Sequence, residues 1–152
     1  MADLPPEDGP DEIRIGPIGP IPIIDEDDPR FVEERAAQSV ANRKARALHS
    51  ADELLEGIRD ADWRVRHGCV PRLVARWKDD PRTLDAILQT AGSDESWQVR
   101  DAAVMRMTEF EPQAVETTLR ICLEDEHEDV RWSARFILFQ LGLTDDPPPG
   151  LD

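Results

Sequence analysis

Three histidines (His49, His67, His127) and two cysteines (Cys69, Cys122) are the side chains of this 152-residue chain best suited to metal ligation or nucleophilic attack. A zinc or iron site needs several such ligands converging, and a reactive thiol needs a base to draw off its proton. The spacing supplies neither. His127-Glu128 is the only adjacent His-Glu pair, and it lies in the acidic run 124–129, which reads as a solvated loop. Neither cysteine has a histidine at a suggestive distance. Both fall at core-facing helical positions, which predicts inert buried thiols in a reducing compartment. Paired carboxylates are frequent, but in a chain with 34% charged residues their pairing carries no catalytic signal. No glycine-rich phosphate loop is present. The sequence therefore assigns no catalytic residue, no metal ligand and no cofactor.

One charged pattern does recur. An aspartate, four residues, then valine-arginine occurs as Asp60 with Val65-Arg66, Asp94 with Val99-Arg100, and Asp125 with Val130-Arg131. A fainter copy has Asp27 and Val32, with Glu33 in the arginine's place. The valines are 33, 34 and 31 positions apart, the period of a helix-pair repeat. A fork-shaped guanidinium placed repeatedly beside an acid suits a structural ladder of ion pairs across repeats.

Those residues must be positioned by helices. Each valine is followed four and eight residues later by a core-type side chain: Ala36 and Val40, Cys69 and Leu73, Ala103 and Met107, Ala134 and Leu138. Eleven positions before the last three valines stand Leu54, Leu88 and Leu119, and eight before stand Gly57, Ala91 and Cys122, which define a second helix per repeat. Ser50 with Glu53 reads as a capping box opening a helix of about 51–59. Asp80-Pro81 and Glu111-Pro112 put proline at the first position of helices of about 81–91 and 112–124. Asp62, Ser96 and Glu128-Asp129 suit the starts of the valine-bearing helices, about 63–77, from 97, and 128–141. The first helix runs over about 30–48. Pro71 should bend the helix that contains it.

With these Asp and Val-Arg sets, the small residue after each valine and the mid-helix Pro71, the chain resembles HEAT-type repeat proteins over about 27–142, particularly the short bacterial repeats of phycobilisome lyases. The resemblance implies an all-α fold, a short α-solenoid in which antiparallel helix pairs stack into a superhelix, with an aspartate-arginine ladder between neighbours. Physics agrees, since one helix pair cannot bury its apolar stripe alone. The organisation that follows is an acidic Pro/Ile-rich extension (1–28), a repeat domain (29–142) and an acidic Pro-rich tail (143–152). Six isoleucines within 13–24 suggest that this stretch lies extended against the first helix or along a groove, the alternative being a mobile tail whose isoleucines await a partner.

Charge narrows the partners. Thirty-three acids against 18 bases give a net −15, which disfavours nucleic acid and anionic membrane. No apolar run is long enough for a membrane span and the start has no signal-peptide pattern, so a cytoplasmic protein is expected. HEAT-type iron hydroxylases carry His-Glu pairs just after the valine-arginine. Here those positions read His67-Gly68, Asp101-Ala102 and Trp132-Ser133, which cannot assemble that site. HEAT-like DNA glycosylases use Trp, Asp and Arg but need a basic concave face, which this chain lacks. The only basic-rich set is Arg35, Arg43, Lys44, Arg46, Arg72, Arg76 and Lys78.

The reading is a non-catalytic interaction or scaffold module that binds a protein or peptide, a basic partner being one candidate. The rivals are an acidic immunity-type inhibitor of a basic partner and an accessory protein related to lyases or hydroxylases. In HEAT proteins the second helices line the concave side, so the resemblance implies ligand-facing candidates at Glu56, Arg59, Asp85, Gln89, Glu116 and Arg120. Trp63 and Trp97 share a repeat position and should pack at corners. Trp132 stands on the last helix, which has no following partner, and joins the candidate contact residues.

Overall fold

The structure is a computed structural model that describes residues 12–14, 20–22 and 27–151. It divides into two compact units, Met1–Gln38 and Ser39–Asp152, each described by itself.

In the first unit, strands β1 (Glu12–Arg14) and β2 (Pro20–Pro22) pair antiparallel with Ile13 opposite Ile21. The isoleucine-rich stretch is thus extended where it is described, and there it pairs with itself. The rest of that stretch lies outside the described residues. Asp28 accepts the Arg30 N–H at 2.8 Å and opens helix α1 (Pro29–Arg46), whose residues are shared between the two units.

The second unit carries six further helices among the described residues: α2 (Ala51–Gly57), α3 (Trp63–Trp77), α4 (Pro81–Ser93), α5 (Trp97–Met105), α6 (Pro112–Cys122) and α7 (Glu128–Gln140). A 3-10 turn, Arg106–Glu109, follows α5. Three helix pairs, α2 with α3, α4 with α5 and α6 with α7, stack so that α3, α5 and α7 form one layer, and α4 and α6 are neighbours in the other. No helix among the described residues is long and apolar enough to cross a membrane.

Local chemistry sets the boundaries. Ser50 accepts the Glu53 N–H at 3.1 Å, and the Glu53 carboxylate reaches back to the His49 N–H at 3.0 Å. Asp62 and Asp80 accept the N–H groups of Arg64 and Arg82, and Pro81 and Pro112 occupy first-turn positions where no donor is needed. Ser96 stands at the N-cap of α5, yet its hydroxyl goes to Gln98 instead of the backbone. At α7 the cap is His127, whose Nδ1 accepts the Asp129 N–H at 3.2 Å. Helix α3 runs unbroken through Pro71.

The stacked helix pairs do not bury their apolar stripes in one continuous seam. Buried side chains form two clusters that share α3: Val65, Cys69 and Leu73 face Ala41, Ala45 and Leu54, while Val70 and Val74 face the cluster that runs through Ile87, Val99, Val115, Leu119, Val130 and Leu138. Each such Leu, Ile or Val contributes on the order of 1.5–3 kcal/mol by leaving water. Val32 and Val40, which the repeat pattern makes core residues, are 49% and 56% exposed, and within the second unit α1 buries Ala41 and Ala45, one position further round the helix than Val40.

A Cβ on Gly68 would lie 3.0 Å from that of Ala45, so α1 and α3 approach closely at this contact. Leu88 is likewise half-buried while its neighbour Ile87 takes the core position, and Met107 reaches the core from the 3-10 turn after α5 has ended.

A ladder of acids and a groove between α2 and α4

The recurring charges form a ladder with a direction. Arg66 grips Asp94 of the following repeat through Nε (2.9 Å) and Nη2 (3.0 Å), and Arg100 grips Asp125 in the same way at 2.8 and 2.9 Å. The third nitrogen, Nη1, clasps the arginine's own repeat: Arg66 donates to Asp60 O (2.8 Å), Arg100 to Asp94 O (2.8 Å) and Arg131 to Asp125 O (2.6 Å). Each aspartate also accepts an N–H two residues on, from Asp62, Ser96 and His127. Asp60 has no arginine before it and is paired by Lys44 at 2.5 Å. That hydrogen bond holds its carboxyl below the usual range. Burial alone would raise the Asp125 carboxyl, but Arg100 and the His127 N–H outweigh it and hold it down.

On the α2–α4 side of this ladder opens a groove of about 980 Å³. Its lining includes Glu56, Arg59, Asp85 and Gln89, four of the residues picked out from the sequence. Leu55, Ile58 and Ala86 supply apolar surface, and Glu95 adds a further carboxylate. Several lining charges are occupied: Arg82 bridges Asp52 (2.6 Å) and Asp80 (2.8 Å), and Asp60, Arg66 and Asp94 belong to the ladder. The side chains of Glu56, Arg59, Asp85, Gln89 and Glu95 enter none of the described hydrogen bonds or ion pairs, so the groove's free charge is three acids to one base.

The other candidates lie elsewhere. Glu116 and Arg120 pair with each other on α6 at 2.9 Å, and Arg120 also donates to Leu143 O at 3.2 Å, so this arginine is engaged in holding the tail. Trp132 sits on α7, 39% exposed, with its ring stacked on Phe136 and its Nε1 donating to Pro149 O at 3.1 Å. The basic set contributes further contacts: Arg72 donates to Arg46 O, and Arg76 approaches the His49 ring at 3.3 Å.

The tail itself is built in. Gly142, at φ +69, ends α7 with the Leu143 N–H on Leu138 O (2.9 Å) and the Gly142 N–H on Phe139 O (3.1 Å), a Schellman turn that sends the chain back toward α6. Pro148 is buried as a result.

Of the side chains best suited to catalysis, Cys69 and Cys122 are buried, His127 is half-buried, and His49 and His67 are exposed. His127 stacks on Trp97 with ring centres 3.9 Å apart, and His67 meets Trp63 edge-on at 6.2 Å; each tryptophan is the first residue of its helix. Burial pushes both cysteine thiols up to about 11, so they stay protonated at neutral pH. No cluster of three metal-ligating side chains occurs among the described residues. Asp101 was given no role by the sequence. Burial raises its carboxyl, a hydrogen bond from Ser133 only partly offsets this, and its Oδ1 is buried without a partner.

The sequence profile of HEAT repeats matches residues 51–138, more than half of the chain. The chain belongs to the HEAT-repeat family. No curated protein and no solved structure matches it. Within the HEAT repeats the match spans α2 to α7, and so includes the groove and both arginine-aspartate rungs.

Proposed function

We propose that this HEAT-repeat protein is a non-catalytic interaction module that takes a basic segment of another protein into the groove between α2 and α4. The observation that carries the reading is the groove's composition. Its free acids, Glu56, Asp85 and Glu95, outnumber Arg59 and stand around apolar Leu55, Ile58 and Ala86. A segment that alternates lysine or arginine with apolar side chains matches both features, and the protein's net −15 adds steering toward a cationic partner. The arrangement also suits an inhibitor that covers a basic site on its target.

The test uses a fluorescent lysine-leucine amphipathic peptide as probe and follows its anisotropy against salt. Binding should weaken steeply between low and high ionic strength. It should fall at least tenfold in a Glu56→Lys/Asp85→Lys variant, and remain within twofold in the control Glu124→Lys/Glu128→Lys, which carries the same charge change outside the groove. Equal losses in the two variants would reduce the effect to general surface charge and overturn the groove as the site.

A further inference from the structure

Among the described residues Arg131 is the last arginine of the ladder, and its rung is half made. Arg131 Nη1 is fixed on Asp125 O at 2.6 Å, as in Arg66 and Arg100. In those two the remaining Nε and Nη2 hold the aspartate of the next repeat, whereas among the described residues no carboxylate meets the fork of Arg131. The guanidinium is therefore anchored in the gripping pose with two donors free. Beside it on α7, Trp132, Phe136 and Phe139 fall at spacings of four and three, on a single helical stripe. Trp132 and Phe139 are 39% and 37% exposed. The tail reaches this stripe through the hydrogen bond from Trp132 Nε1 to Pro149 O.

The geometry points to this outer face of α7 as a second docking surface, for a partner protein's helix that begins in an aspartate turn. The partner's carboxylate enters the free fork of Arg131, and the apolar side of its helix lies on Trp132, Phe136 and Phe139. Charge complementarity selects the acid, since a guanidinium fork with two parallel donors matches a carboxylate. The filled rungs supply the template, because Asp94 and Asp125 each stand in a turn two residues ahead of a helix N-cap. A second copy of the chain is a poor occupant. Its ladder acids are already held, Asp60 by Lys44, Asp94 by Arg66 and Asp125 by Arg100. The surface is separate from the α2–α4 groove, so either can fail without the other.

The probe is a helix-stapled peptide of residues 125–140, this chain's own acid turn and following helix with the carboxylate released. Its affinity for the full chain is read by fluorescence anisotropy. The peptide should bind at least tenfold more tightly than its Asp125→Asn form, and a chain carrying Arg131→Gln should bind the two forms equally. Equal binding of both peptides by the unaltered chain, binding of neither, or a preference that survives Arg131→Gln overturns the proposal. Sedimentation of the full chain gives the remaining arm. A concentration-dependent dimer abolished by Arg131→Gln would make a second copy the occupant and would overturn assignment to a different protein.

Discussion

Replacing Arg100 with methionine isolates what one ladder rung contributes. The side chains of Arg100 and Asp125 are 7% and 10% exposed, and their two hydrogen bonds measure 2.8 and 2.9 Å. Arg100→Met keeps volume but strands the Asp125 carboxylate in a nearly dry site and removes a donor from Asp94 O. Removing one partner of a buried pair costs about 3–5 kcal/mol, a large share of the ~5–15 kcal/mol that holds a domain together. Changing both partners removes the stranded charge, so Arg100→Met/Asp125→Asn should recover about 1–3 kcal/mol relative to the sum of the single changes. The half-exposed Glu116–Arg120 pair provides the internal comparison, with an ion pair worth about 0.5 kcal/mol. Urea unfolding followed by circular dichroism, extrapolated linearly to water, measures all four variants. An Arg100→Met cost no greater than that of Arg120→Met, or a double variant at the plain sum of the singles, would refute the claim that the rung acts as a buried unit.

Three further outcomes test the packing and the charges. Gly57→Ala places a Cβ 2.6 Å from Cys69 Sγ and 2.7 Å from Leu48 Cδ1, and should lower stability by about 1–3 kcal/mol, whereas Gly92→Ala, with nothing within 4 Å, should leave the melting temperature unchanged or higher. Asp101→Asn should raise stability at pH 7 by about 1 kcal/mol, because it removes a carboxylate whose ionisation burial opposes. This gain should shrink as the pH falls and the native carboxyl takes up its proton, and a pH-independent difference in melting temperature would count against the buried charge as the cause. The lowered carboxyls of Asp60 and Asp125 act in the opposite sense: their contribution is complete above the unfolded value near 3.8 and is lost as the pH falls through the lower folded values. Acid unfolding should accordingly steepen below about pH 4, and Arg100→Met should flatten it.

Much of the architecture was readable because the repeat signal combines two independent features, a helical stripe and a charge at fixed offset. Val65, Val99 and Val130 with their arginines identified the α3, α5 and α7 layer, and four groove residues followed from positions on α2 and α4. What the pattern concealed was steric and non-local. Val40 matched the period yet is exposed, while its neighbour Ala41 and then Ala45 are buried where α1 closely approaches Gly68 of α3, a fact that belongs to two helices at once. Pairing across repeats was expected from the recurring aspartates and arginines, but its direction was not, since no spacing within one repeat indicates that an arginine reaches forward to the next. Arg120 looked ligand-facing from its helix position, and only the return of the tail over α6 reveals its hydrogen bond to Leu143 O. The tail's order was hidden for the same reason: its prolines speak against helix and are silent about a seat on Trp132.

The split attachment of each ladder guanidinium has a consequence for how such a chain changes length. One donor of Arg66 or Arg100 fastens its own turn while the other two fasten the neighbour's, so the joint is assembled from halves contributed by two adjoining modules. A deletion that removes part of a module leaves either an orphaned acid or an empty fork inside the array. Removing or duplicating a whole cassette, from one aspartate turn to the next, carries a complete pair of halves and lets the flanking joints close again. Growth and shortening of this chain by intact cassettes is therefore the route that its joints tolerate best.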